Sequence, residues 1–94
     1  MPDPAQLADM FKALSVESRV HIVQLLRERV LCVGALAHRL GITQAAVSQH
    51  LRILRNVGLV TANKNSNFVH YSLNTATFDQ WRGLIESFLG NGKD

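Results

Sequence analysis

The side chains with most to offer chemically are gathered between positions 43 and 55, where Thr43, Gln44, Ser48, Gln49, Arg52 and Arg55 recur every three or four places. On a helix that spacing puts hydroxyl, amide and guanidinium groups on one face. Glutamine suits adenine and arginine suits guanine, each through paired hydrogen bonds on the major-groove edge, so the set has the chemistry of a DNA-reading surface with Ser48, Gln49 and Arg52 as base readers. Thr43 and Gln44 fall at the start of the helix, where free N–H groups and the positive end of the helix dipole hold a phosphate. Arg39 and Arg55 lie nearer helix ends and suit phosphates, while Lys64, Asn65 and Asn67 would touch backbone or minor groove. Plainer roles compete: Ser48 as a small residue for close packing, Arg52 and Arg55 as solvated surface. His50 follows Val47 by three and precedes Leu51 by one. That leaves it between DNA contact and a half-buried position bonded to backbone.

Charge distribution sharpens the partner. The net charge is only +3, yet no acidic residue occurs between Glu28 and Asp79, a stretch that holds Arg29, Arg39, Arg52, Arg55 and Lys64. A polyanion is the natural partner of such a centre. Enzymatic chemistry has no support, because no serine, histidine and acid set and no phosphate-cradling loop is visible, and Cys32 has no evident base. The one cysteine cannot form an intramolecular disulfide and supplies too few thiolates for a structural zinc site. Cys32 is therefore either a small core residue beside Leu31 and Val33 or a candidate redox site. No metal site and no cofactor is expected. No apolar run reaches the ~18–20 residues of a membrane span. Met1-Pro2-Asp3-Pro4 lacks the basic and then apolar stretch of a signal peptide, so a cytoplasmic location and no membrane partner are expected.

The elements that must hold these groups follow from apolar periodicity. At 94 residues, 47% of them hydrophobic, the chain fits one domain spanning 1–94. Leu7, Met10, Phe11 and Leu14 have helical spacing over about 4–14, with Pro4 in the first turn. Ser15 is the expected N-cap of a second helix, whose Val20, Ile22, Val23, Leu25 and Leu26 make it the most buried one. Leu36, Ala37 and Leu40 predict a short third helix stopped at Gly41, the preceding Val30-Leu31-Cys32-Val33 being too short to classify. Thr43 caps a fourth helix with Val47, Leu51 and Leu54 on its inner face and Gly58 at its end. A three-residue turn containing glycine joins the third and fourth helices as a helix-turn-helix. Residues 59–61 and 68–73 predict two strands around Lys64-Asn65-Ser66-Asn67, with asparagine supplying the left-handed turn residue. A last helix over 75–89, started by Asn74 or Thr75 and ended by Gly90-Asn91-Gly92, carries Phe78, Trp81, Leu84, Ile85, Phe88 and Leu89. The fold class is mainly α with a small β-hairpin, a winged helix-turn-helix of four helices, two strands and a fifth helix.

Ala13-Leu14-Ser15, Arg19, Leu31-Cys32-Val33, Ile42 to Leu51, Leu54-Arg55, Gly58-Leu59-Val60 and Val69 to Leu73 resemble the ArsR/SmtB family of bacterial transcriptional repressors. SQHLRILRNVGLV is the most specific part. The resemblance implies a homodimer on an inverted-repeat operator in double-stranded DNA, released when an inducer binds. The end helices, about 4–14 and 75–89, point the same way. Leu7, Met10, Phe11, Trp81, Leu84, Ile85 and Phe88 exceed what so short a chain easily covers, and form the expected dimer interface unless they only complete the monomer core. The family's two-cysteine metal motif would fall at 32 and 34, but Gly34 replaces the second cysteine and Val30 and Ala35 replace the flanking acids. The Asp and His site of the family's last helix keeps only Asp79 and Glu86. His38 diverges from Cys32 if both are helical, His21 belongs to the second helix and His70 to the hairpin. The inducer is thus expected to be an unknown small molecule or redox signal rather than a thiolate-bound metal, the alternative being that no inducer site exists and the protein answers to its own concentration or to another protein. The competing function is a winged-helix protein-interaction module, which would keep the core pattern and lose the groove-facing set.

Overall fold

The computed structural model describes residues 2–90, so Met1, Asn91 and Gly92 lie outside the described residues. The helices are α1 (Pro4–Ala13), α2 (Glu17–Glu28), α3 (Val33–Leu40), α4 (Gln44–Asn56) and α5 (Thr75–Leu89), with β1 (Val60–Asn65) and β2 (Phe68–Leu73) between the last two. This is a winged helix-turn-helix, as the patterning implies.

Local chemistry sets most boundaries. Asp3 caps α1, its Oδ1 accepting from Ala5 N–H at 3.0 Å, and Pro4 occupies the first turn. Ser15 does not cap α2 as expected: its hydroxyl donates to the Lys12 carbonyl at 2.8 Å and closes α1 instead. Val16 takes the N-cap position of α2 without a side-chain bond. Gly41, at φ 70°, ends α3, and both its N–H and that of Ile42 bond the Ala37 carbonyl, at 2.9 and 3.2 Å. Gly58, at φ 79°, turns the chain out of α4. Gly58 N–H bonds Arg55 O at 2.9 Å and Leu59 N–H bonds Leu54 O at 3.0 Å, the paired bonds of a Schellman stop.

The hairpin is longer than its apolar residues alone suggested. β1 runs on through Asn65, which pairs with Phe68. Pairing with β2 supplies the backbone bonds, so the polar Asn63, Lys64 and Asn65 need no apolar partner to remain in the strand. The left-handed turn residue is Ser66, at φ 60°, and not an asparagine. Leu31 exchanges backbone bonds with Tyr71, at 3.1 and 2.8 Å, so the segment that periodicity left unclassified adds a short third rung to the hairpin.

The core joins Met10 and Ala13 of α1, Ile22 and Leu26 of α2, Leu36 of α3, Val47, Leu51 and Leu54 of α4, Leu59, Val60 and Trp81. Arg19 of α2 is also buried, at 8% exposure. Among the expected end-helix contacts, Leu7, Met10 and Trp81 are already covered within the one chain, Leu84 and Ile85 are half-buried, and Phe11 and Phe88 are exposed.

Candidate nucleic-acid interface

The inner face of α4 is fully seated, with Val47, Leu51 and Leu54 at 0%, 1% and 0% exposure. Seating that face fixes the direction of the other. At about 100° per residue, Ala45, Gln49, Arg52 and Asn56 lie opposite the buried seam, with Ser48, Gln44 and Arg55 beside them. All seven are exposed. Ala45 and Asn56 share this surface although the polar spacing did not single them out.

Thr43 starts the helix as expected, its Oγ1 accepting from Ala46 N–H at 3.1 Å. By the geometry of a helix start, the N–H groups of Gln44 and Ala45 have no intrahelical acceptor and suit an anion. Gln44 leans back toward α3, its Nε2 lying 3.6 Å from where a side chain on Gly34 would begin. That position suits an anchor better than a reader. Arg39, in the last turn of α3, is exposed. Among the described residues one ion pair forms, Arg82 with Asp79 at 3.4 Å on α5, so Arg39, Arg52, Arg55 and Lys64 carry uncompensated charge.

The hairpin divides its side chains by strand alternation. Asn65 faces Phe68 and Asn63 faces His70 on one side of the ribbon, while Lys64 pairs with Val69 on the other. Asn67 sits in the turn, and it, Lys64 and Asn65 are all exposed. Asn63 joins Asn65 on the same face and was missed because the strand was expected to end at Thr61.

His50 is half-buried and bonds a side chain rather than the backbone. Its Nδ1 lies 3.5 Å from Nη1 of Arg19. A guanidinium only donates, so Nδ1 accepts and the ring proton of the neutral form sits on Nε2. Burial, and then the charge of Arg19, push the His50 pKa below its ordinary 6.5. Arg19 itself donates from Nε to the Ala13 carbonyl at 2.6 Å and from Nη2 to the Lys12 carbonyl at 3.2 Å. In the sequence Arg19 figures in the family resemblance, but it is one of two arginines in a helix with polar residues at both ends, and nothing marks it as buried.

Cys32 is half-buried and acts as the N-cap of α3, its sulfur accepting from Ala35 N–H at 3.4 Å. His21 and His38 are exposed and His70 half-buried. Among the described residues no three His, Cys, Asp or Glu side chains gather as a metal site. No helix of the described residues is long and apolar enough to cross a membrane.

At the far side of the fold, the rings of Phe11 and Phe88 meet at 5.8 Å with a 57° tilt. They border a groove of about 440 Å³ lined by Pro2, Pro4, Leu7, Ala8, Phe11 and Phe88, with Ser87 as its polar member. Leu89 beyond it is 72% exposed.

Residues 17–62 match the model of a family described as bacterial regulatory protein, arsR family. The regulator NmtR of Mycobacterium tuberculosis is 44% identical over 69 residues, covering 73% of this chain, and the chain spans 58% of that regulator's length. The nodulation protein NolR of Rhizobium meliloti is 31% identical over 87 residues, covering 93% of this chain and 71% of its own length. The solved structure of reduced HlyU from Vibrio cholerae superposes with a TM-score of 0.74 at 34% identity, covering 89% of this chain and 88% of that one.

Proposed function

This chain belongs to the arsR family of bacterial regulatory proteins, and we propose that it is a homodimeric transcriptional repressor that reads an inverted-repeat operator with α4. One observation carries the reading: an exposed, acid-free helix face bearing Ser48, Gln49 and Arg52, with a capped N-terminus and an adjoining hairpin. Ser48, Gln49 and Arg52 read bases; Thr43 and Gln44 anchor a phosphate; Arg39 and Arg55 meet flanking phosphates. Lys64, Asn65 and Asn67 of the wing touch backbone or minor groove. Acting on DNA in this way implies a location in the bacterial cytoplasm.

A second copy covers α1 and α5. Support for this comes from Phe11 and Phe88, whose tilted rings meet yet stay exposed, from the apolar groove beside them, and from half-buried Leu84 and Ile85. Leu7, Met10 and Trp81 contribute from beneath, as the floor on which the outer residues rest. The inducer is a small molecule or a redox signal rather than a thiolate-bound metal, because Gly34 stands where a second cysteine would be needed.

Selection of wild-type ligands from random-sequence DNA tests the proposal, since enrichment would return both the half-site and its spacing. A dimeric reader requires two half-sites related by a dyad, about one helical turn or a multiple of it apart. No enrichment would leave the interaction-module reading in possession.

A further inference from the structure

A cleft of about 340 Å³ opens where α1, α2 and α4 meet, lined by Asp9, Lys12, Ala13, Arg19, Ile53 and Val57. Packing across this junction is therefore incomplete, and a polar link spans it. Arg19 is buried without a carboxylate partner, an arrangement that is costly unless every donor is used. Two of its nitrogens go to the Ala13 and Lys12 carbonyls at the end of α1, the second shared with Ser15, where the negative end of the helix dipole offsets the charge. The third direction goes to His50. Capping α1 alone would not need that third bond.

We propose that Arg19 is a positioning residue for the DNA-reading helix, tying α4 to the end of α1 through Nδ1 of His50. The inference rests on the DNA reading above and adds a route to it. The helix that carries the proposed dimer surface and the helix that reads bases are held by one planar, rigid group. Half-site spacing and reader orientation are thereby fixed together.

Asparagine and glutamine separate this role from direct contact, because the amide of asparagine falls near Nδ1 of a histidine and that of glutamine near Nε2. His50→Asn keeps an acceptor for Arg19, and His50→Gln does not. On the DNA selected by wild type, His50→Asn should hold sequence-specific affinity within about twofold while His50→Gln loses about tenfold, the scale of one hydrogen bond to a charged group. Affinity for unselected DNA should change in neither. The reverse order would show that Nε2 meets DNA, and equal loss or no loss in both variants would equally overturn the proposal. Nitrogen NMR of the imidazoles supplies a readout that needs no DNA. Wild type should show His50 with Nδ1 unprotonated, and a proton on Nδ1 of the neutral ring refutes the link. If wild type selects no sequence, the DNA reading falls, and this tautomer together with amide exchange along α4 in His50→Gln still decides whether Arg19 holds the helix.

Discussion

Replacing Gly58 by alanine tests the joint between the reading helix and the wing. At φ 79° the residue is left-handed, and an added Cβ would lie 3.7 Å from Thr77 Oγ1, an ordinary contact. Steric overlap contributes nothing, so the cost is conformational alone, about 1–2 kcal/mol for a side chain in the left-handed region. For a domain of this size that lowers the thermal midpoint by roughly 5–15 °C. Gly34→Ala is the internal control. Gly34 lies inside α3, where its added Cβ would sit 3.6 Å from Gln44 Nε2. There the same change should stabilise by about 0.5–1 kcal/mol, because alanine loses less backbone freedom in a helix. Circular-dichroism melts of both variants at one fixed protein concentration give the two signs directly, since association would otherwise shift the midpoint. If Gly58→Ala melts with or above wild type, the left-handed stop that aims the wing is wrong.

The other expectations concern partners and conditions. Arg52→Ala should weaken operator binding by ~1–3 kcal/mol and relax one base position, whereas Lys64→Ala should weaken all sequences alike and lower the salt slope by roughly one unit; unchanged operator affinity removes Arg52 from the readers. Wild type should have a dimer mass by light scattering at micromolar concentration, and Phe88→Glu, by placing a charge at a 55% exposed apolar site, should shift it toward monomer; a strict wild-type monomer sinks the dimer. The lowered pKa of His50 means that below pH 6.5 the unfolded chain takes up a proton that the folded chain resists. Stability at this site is thus complete above pH 6.5 and is lost as pH falls toward the folded pKa; an equal acid slope in urea melts of His50→Asn would refute the assignment. Cys32→Ser should keep α3 capped, since a hydroxyl is the better acceptor. If mutant and wild type release DNA identically under oxidant, Cys32 is a cap and not a sensor.

What the sequence made legible was whatever depends on short spacing. Val47, Leu51 and Leu54 announce a helix and its inner face together, and the exposed polar face follows by subtraction. Thr43, Gly41 and Gly58 mark boundaries because a cap or a left-handed residue is a local event. Ser15 misled for the same reason: a hydroxyl between two helices suits either end, and only the position of the Lys12 carbonyl decided which. The wing was cut short because Asn63, Lys64 and Asn65 carry no apolar signal. Their strand is made by backbone pairing with β2, which hydropathy cannot register.

Long-range choices were the illegible ones, and they divide the end helices from the junction. Apolar spacing marked Leu7, Met10 and Trp81 in the same way as Phe11 and Phe88. Only the docking of α5 on α1 separates residues that finish this chain's core from residues left exposed. Arg19 and His50 stand 31 positions apart, and nothing in the type or spacing of either names the other. Once the structure buries Arg19, it poses the question of where its donors go. The answer, two carbonyls ending one helix and a ring nitrogen on another, is the reason to treat the reading surface as part of a three-helix junction. On the proposal above, a change at the end of α1 would reach α4 through one side chain, without altering any of the proposed readers.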